Sequence, residues 1–189
     1  MKSNLKSLSI AILVTISLTM FAQTKQVDAS KSNIIWVGKK ITGQHDGTVD
    51  LKSGALNFKK GKLAGGTFTV EMATLTVKDL QSGKGKEDLE GHLKADDFFG
   101  TAKFPTAKLV FKKIAAKGNG LYNVTGNLTI KGITKPVNFD MVTTATTATT
   151  NLKVDRTKYG IKYKSGNFFK DLGDKTIDDI FELKVSLVF

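Results

Sequence analysis

The feature that most constrains this chain is a two-residue alternation of apolar and polar side chains that recurs in one short segment after another. The last segment shows it most cleanly, with Phe181, Leu183, Val185, Leu187 and Phe189 alternating with Glu182, Lys184 and Ser186. Tyr122, Val124, Leu128 and Ile130 fall on one parity that Gly126 completes, and Val137, Phe139 and Met141 follow after Pro136. Phe68, Val70 and Met72 alternate with Thr67, Thr69 and Glu71, and Val49 and Leu51 with Thr48, Asp50 and Lys52. Successive side chains of a strand point to opposite faces, so this pattern puts one face in a core and the other in water. Ile34 to Val37, around Trp36, is apolar on both sides.

Turn signals separate these runs: Lys60-Gly61, Gly65-Gly66, Gly118-Asn119-Gly120, Lys131-Gly132 and Ser165-Gly166-Asn167. Short strands at regular spacing with glycine turns predict one all-β domain, a barrel or a sandwich. The Thr/Ala run from Thr143 to Thr150 reads as strand and hairpin rather than linker, because threonine is β-branched. One stretch breaks the rhythm. Lys86 to Lys94 places Leu89 and Leu93 four apart, as on one helical face, and Asp96-Asp97 before Phe98-Phe99 reads as a cap for a further turn. A short helical excursion near residues 86–100 therefore crosses one end of the sheet.

The first 22 residues read as a secretory leader, leaving 23–189 as the domain. Lys2 and Lys6 form a positive start, Leu8 to Leu18 is uncharged and apolar, and Ala22 offers a small residue for cleavage. Ser9, Thr15, Ser17 and Thr19 dilute the run below what a membrane anchor needs. With Cys 0, the chain has no disulfides, thiolate metal sites or cysteine nucleophiles. A periplasmic or secreted location is expected.

Removing Lys2 and Lys6 lowers the formal net charge from +12 to +10. Nucleic acid is still not the expected partner. Arg156 is the only arginine, while base readout and bidentate phosphate gripping favour that side chain, and the lysines are spread along the whole chain. An ordinary basic surface accounts for them, and the alternative is a surface whose lysines dock on anionic partners such as lipid headgroups.

Chemistry has few candidates. The two histidines, His45 in a Gly43-to-Gly47 segment read as a turn and His92 beside Leu93, lack the short ligand spacing of a zinc site. Asp96-Asp97 and Asp178-Asp179 are adjacent, so on a strand each pair would face opposite ways. Neither a Gly-x-Ser-x-Gly elbow nor a Gly-x-Gly-x-x-Gly loop occurs. No enzyme, cofactor or metal site is expected; the competing reading is a metal-binding protein or metal-dependent enzyme using His45 and His92. What stands out is aromatic excess near loops, in Phe98, Phe99 and Phe104 and in the pair Phe168-Phe169. Such residues plug a core or line the mouth of a chamber, and an eight-stranded barrel is about wide enough to hold one small ligand.

Three motifs, in order, resemble a known family. Gly91-His92-Leu93-Lys94-Ala95-Asp96-Asp97-Phe98-Phe99 with Phe104-Pro105-Thr106-Ala107 resembles the first hallmark of the YceI-like exported proteins. Gly126 to Val137 resembles the second, and Asp155-Arg156-Thr157-Lys158-Tyr159-Gly160-Ile161 the third. Ala95 stands where serine is common and Gly100 where aspartate is usual, and Trp36 replaces a usual Phe. The resemblance implies a single lipocalin-like antiparallel barrel of about eight strands. It also implies an isoprenoid, quinone-like or fatty-acid-like amphiphile carried in an apolar interior. The residues expected to meet that ligand are Trp36, Phe68, Val70, Leu128 and Phe139 along the tail, Phe98 and Phe99 at the mouth, and His92 and Lys94 at the headgroup. The expected partners are that lipid, such as a polyisoprenoid, and a second copy in a homodimer, with no integral membrane anchor.

Overall fold

The computed structural model describes residues 22–189. The expected leader, apart from Ala22, lies outside the described residues. Nine strands follow one another: β1 (Gln23–Gln26), β2 (Asn33–Lys40), β3 (Gly43–Lys59), β4 (Lys62–Val77), β5 (Thr106–Gly118), β6 (Leu121–Ile130), β7 (Ile133–Thr143), β8 (Thr147–Asp155) and β9 (Ile180–Val188), with helix α1 (Lys86–Lys94) between β4 and β5. Every pairing is antiparallel, and the order β3-β2-β9-β8-β7-β6-β5-β4 returns to β3, so eight strands close a barrel. β1 pairs farther along β3, Gln23 opposite Phe58. The all-β barrel and its helical excursion match the expectation.

The alternation explains closure. In β6 the buried residues are Tyr122, Val124, Gly126, Leu128 and Ile130, while the residues between them are only partly buried. Closing the sheet satisfies edge backbone groups and gives all these apolar faces one interior. In the two longest strands the parity changes along the chain. Val49 and Leu51 are buried early in β3, but Leu56 and Phe58 later, after a register shift between Leu51 and Ser53. In β4 the residues between Glu71 and Thr76 bulge against β3, and Met72 and Leu75 both become buried. Thr74 pins the bulge, its hydroxyl accepting the Asp50 amide at 2.8 Å and donating to the Glu71 carbonyl at 2.7 Å. A bulge bends a strand, as a small closed barrel requires.

The connections define two ends. At one lie the β2–β3 turn, α1, the β6–β7 turn and the long segment from Arg156 to Asp179; this is the helix end. At the other lie the β3–β4, β5–β6 and β7–β8 turns. α1 is tied down by acid side chains, Glu90 accepting the Val77 amide at 2.8 Å and Glu87 the Gly83 amide at 3.0 Å. Its buried residue is Leu93. Asp96 and Asp97 fall in a turn rather than capping a second helix, and His45 lies in β3 opposite Gly38, because the β2–β3 turn is only Ile41-Thr42.

One wall is incomplete. β7 and β8 share only the pairs Met141–Thr150, Val142–Thr149 and Thr143–Ala148. From there to the helix end the two strands part, and β7 presents a free edge that includes exposed Pro136, a residue suited to edges because it has no amide hydrogen to donate. The 3-10 turn Arg156–Tyr159 packs against β7 there, with Tyr159 and Ile161 almost fully buried.

Candidate functional site

The barrel interior holds an apolar cavity of about 160 Å³. A single water needs about 10–15 Å³ of such space, so this is room for a molecule rather than a packing defect. Its middle is walled by Trp36 of β2, Val49 of β3, Phe68 and Met72 of β4, Leu128 of β6 and Phe139 of β7, each on the inward parity of its strand. Trp36 keeps its ring on the cavity because its Nε1 donates to the Thr76 carbonyl at 3.1 Å. That arrangement requires glycine at position 47: a Cβ there would lie 1.8 Å from the Thr76 oxygen and 2.7 Å from the Trp36 ring. Phe111 meets Phe68 at 5.4 Å and Phe139 at 5.8 Å between ring centroids, tilted contacts that favour aromatic packing.

Towards the helix end the lining becomes Leu93, Phe98, Phe99 and Phe181, then Ile177 and the exposed Asp178. Here lies a buried charge that the sequence did not place at the site. Arg156, 2% exposed, lines the cavity and donates from Nε to Asp178 O at 2.9 Å, from one terminal nitrogen to Ile161 O at 3.0 Å, and from the other to Ile177 O at 3.0 Å. Asp179 is 3.5 Å from that last nitrogen. Burial pulls the guanidinium pKa down, and Asp179, Asp155 and Asp178 oppose the shift. A planar fork of donors suits three separate carbonyls, which an ammonium would not reach together. The signals in the sequence were its being the sole arginine and its place in the third motif.

Of the nine residues expected at the ligand, Trp36, Phe68, Val70, Phe98, Phe99, Leu128 and Phe139 line this one cavity. His92 and Lys94 do not. α1 turns Leu93 inward and leaves its neighbours outside, where His92 packs on the Tyr163 ring at 4.4 Å and on Phe98 at 5.6 Å. His92 Nε2 is buried without a hydrogen-bond partner, and its Nδ1 is 3.9 Å from Asp97. His45 pairs instead with Asp79 at 2.8 Å, and Asp79 also accepts the Asp46 amide. Its carboxyl lies below the usual value: burial raises it, but the His45 and Asp46 hydrogen bonds outweigh that. Among the described residues no group of three or more His, Cys, Asp or Glu is placed to hold a metal ion. Phe104 is partly buried, whereas Phe168 and Phe169 stand 49% and 48% exposed.

An antiparallel eight-stranded barrel around an apolar cavity, with a helix and a long loop at one end, defines a class of small closed barrels. The chain belongs to the YceI-like domain family, whose profile matches residues 25–189. It superposes on BcnA of Burkholderia cenocepacia with a TM-score of 0.68 and 26% identity, over 86% of this chain and 99% of that one. A polyisoprenoid binding domain from Saccharophagus degradans, implicated in plant cell wall breakdown, shares the fold at TM-score 0.56 and 14% identity, over 86% of this chain and 95% of that one. A UPF0312 protein of Shewanella denitrificans is 40% identical over 84 residues, 44% of this chain and 41% of that protein. One from Photorhabdus laumondii is 33% identical over 106 residues, 54% of each. The chain thus spans about half, or less, of the curated relatives it matches.

Proposed function

We propose that the protein holds an amphiphile with a long apolar tail, an isoprenoid, quinone-like or fatty-acid-like molecule, inside the barrel, and does so as an exported binding protein rather than an enzyme. The observation that carries this reading is the apolar cavity of about 160 Å³ at the centre of a closed barrel. Each methylene moved from water into such a lining is worth about 0.8 kcal/mol, so a ten-carbon tail gains roughly 8 kcal/mol before ordering costs, with no elaborate polar site. The tail lies against Trp36, Phe68, Val70, Leu128 and Phe139, and the headgroup stays at the helix end beside Phe98, Phe99 and Asp178. His92 and Lys94 sit outside the lining and reach a headgroup only if it projects past Phe98. The Saccharophagus domain of the same fold supports the isoprenoid among these choices. A leader ending at Ala22, immediately before β1 begins at Gln23, supports periplasmic or secreted placement.

Organic extraction of the purified protein followed by mass spectrometry tests the reading. An isoprenoid, quinone or fatty acyl compound recovered near one per chain is the expected result. Recovery at the level of an unrelated protein purified alongside, together with no uptake of added farnesol or fatty acid, overturns it.

A further inference from the structure

Six large apolar side chains are exposed among the described residues, and five of them, Ile41, Ile133, Phe168, Phe169 and Ile180, belong to the helix end. Three are brought together by named contacts. Lys40, next to Ile41, bridges Ile177, whose amide donates to Lys164 O at 2.9 Å, and the Asp178 amide donates to Lys39 O at 2.9 Å. Asn167, next to Phe168, donates to the Asp179 carboxylate at 2.6 Å, beside Ile180. The phenylalanines are presented on a held turn: both their amides donate to the carbonyl of Ser165, whose side chain is fully buried. Two adjacent, half-exposed phenylalanines held outward form an apolar surface of the kind that marks an interaction site.

The chemistry around this tip indicates the partner. Lys162 places its ammonium 4.5 Å from the Phe168 ring centroid. Lys164, Lys170 and Lys175 stand in the same segment and Lys40 ends β2 beside it, outnumbering Asp171, Asp174 and Asp178, while Asp179 is engaged by Arg156 and Asn167 and Glu182 by Lys39. Lysines flanking exposed aromatics suit a lipid interface, where the rings enter the acyl boundary and the ammonium groups stay among phosphates. The tip is also continuous with the chamber: Ile180 adjoins Phe181, and Ile177 and Asp178 belong to both.

We propose that the helix end docks on a lipid bilayer bearing anionic headgroups, with Phe168 and Phe169 entering the interface, so that the chamber opens towards the source of its ligand. The purpose of the docking rests on the proposed function; the docking itself rests on this tip. Co-sedimentation with vesicles of phosphatidylglycerol and phosphatidylcholine is the test, with every variant prepared in the same form as the parent because residues 8–18 are themselves apolar. Phe168→Ser/Phe169→Ser weakens vesicle binding about tenfold or more, since two interfacial rings are lost. Val142→Ser removes an exposed side chain at the opposite end and leaves binding unchanged. Equal sedimentation of parent and double variant overturns the proposal. So does a parent that stays in the supernatant. Lipid content measured on the parent before vesicles are added reads the chamber separately, so an empty chamber and a failed docking are distinct results.

Discussion

Phe139 sits on the inner face of β7 with 5% exposure, between the outward Asn138 and Asp140, and its ring meets Phe111 across the interior. Phe139→Asp removes a ring whose truncation costs about 3–5 kcal/mol in a packed core, and adds a carboxylate that a dry core would not tolerate. In a chamber that water can enter, the charge is hydrated and the added penalty shrinks. The variant is expected to unfold cooperatively in urea at a lower midpoint than the parent, and to contain no lipid. Parent-level lipid removes Phe139 from the binding surface, and a chain that cannot fold shows a solid core at that position. Arg156 makes the opposite case, because its role is to satisfy carbonyls. Arg156→Met leaves Ile161, Ile177 and Asp178 without their donors and is expected to cost about 3–5 kcal/mol in urea denaturation, with Arg156→Lys recovering only part. Tyr159 adds a pH prediction. Burial first, and the Asp155 carboxylate after it, pushes its phenol from 10.0 up to about 12. A pKa raised on folding means that this contribution to stability is complete below pH 10 and is lost as pH rises from 10 to 12. Ultraviolet titration of the parent against Tyr159→Phe should show the Tyr159 phenol ionising well above 10.0; its ionisation at 10.0 contradicts its burial.

Among the elements, β7 and β8 are the ones whose pairing is least complete. Hydrogen exchange should show slow amides along β6, which is paired on both sides. Those amides of β7 between Ile133 and Asp140 that face away from β6 should exchange fast, with protection returning at Met141 to Thr143. Uniform protection along β7 would mean that the wall is closed. The same comparison shows what was legible from sequence. β6 was readable residue by residue, because its ladder with β7 runs without a bulge and its alternation survives intact. β3 and β4 were readable only in part. The change from Val49 and Leu51 to Leu56 and Phe58 follows a register shift between Leu51 and Ser53, and the burial of both Met72 and Leu75 depends on a separate bulge pinned by Thr74 and Asp50, a contact 24 residues apart with no local signature. His92 and Lys94 were expected at the mouth from their motif, but the rotation of α1 follows from Glu90 holding the end of β4 and from Leu93 facing in. Phe168 and Phe169 look like core by composition and are exposed because Ser165 holds their turn.

The whole molecule joins a closed barrel, an apolar chamber and one apolar end. Export is tested by N-terminal sequencing of the mature form, which should begin at Gln23; a chain retaining residues 1–22 contradicts a cleaved leader. Native mass spectrometry of the intact protein reads whether the chamber is occupied. The expected spectrum shows the chain carrying one added mass of an amphiphile, released by organic solvent. That mass persists in His45→Ala/His92→Ala, whose side chains do not line the chamber, and is absent in Phe139→Asp. A parent that flies only at its bare mass after incubation with isoprenoid and fatty acid, or an added mass that disappears in the histidine variant and stays in Phe139→Asp, would contradict the account.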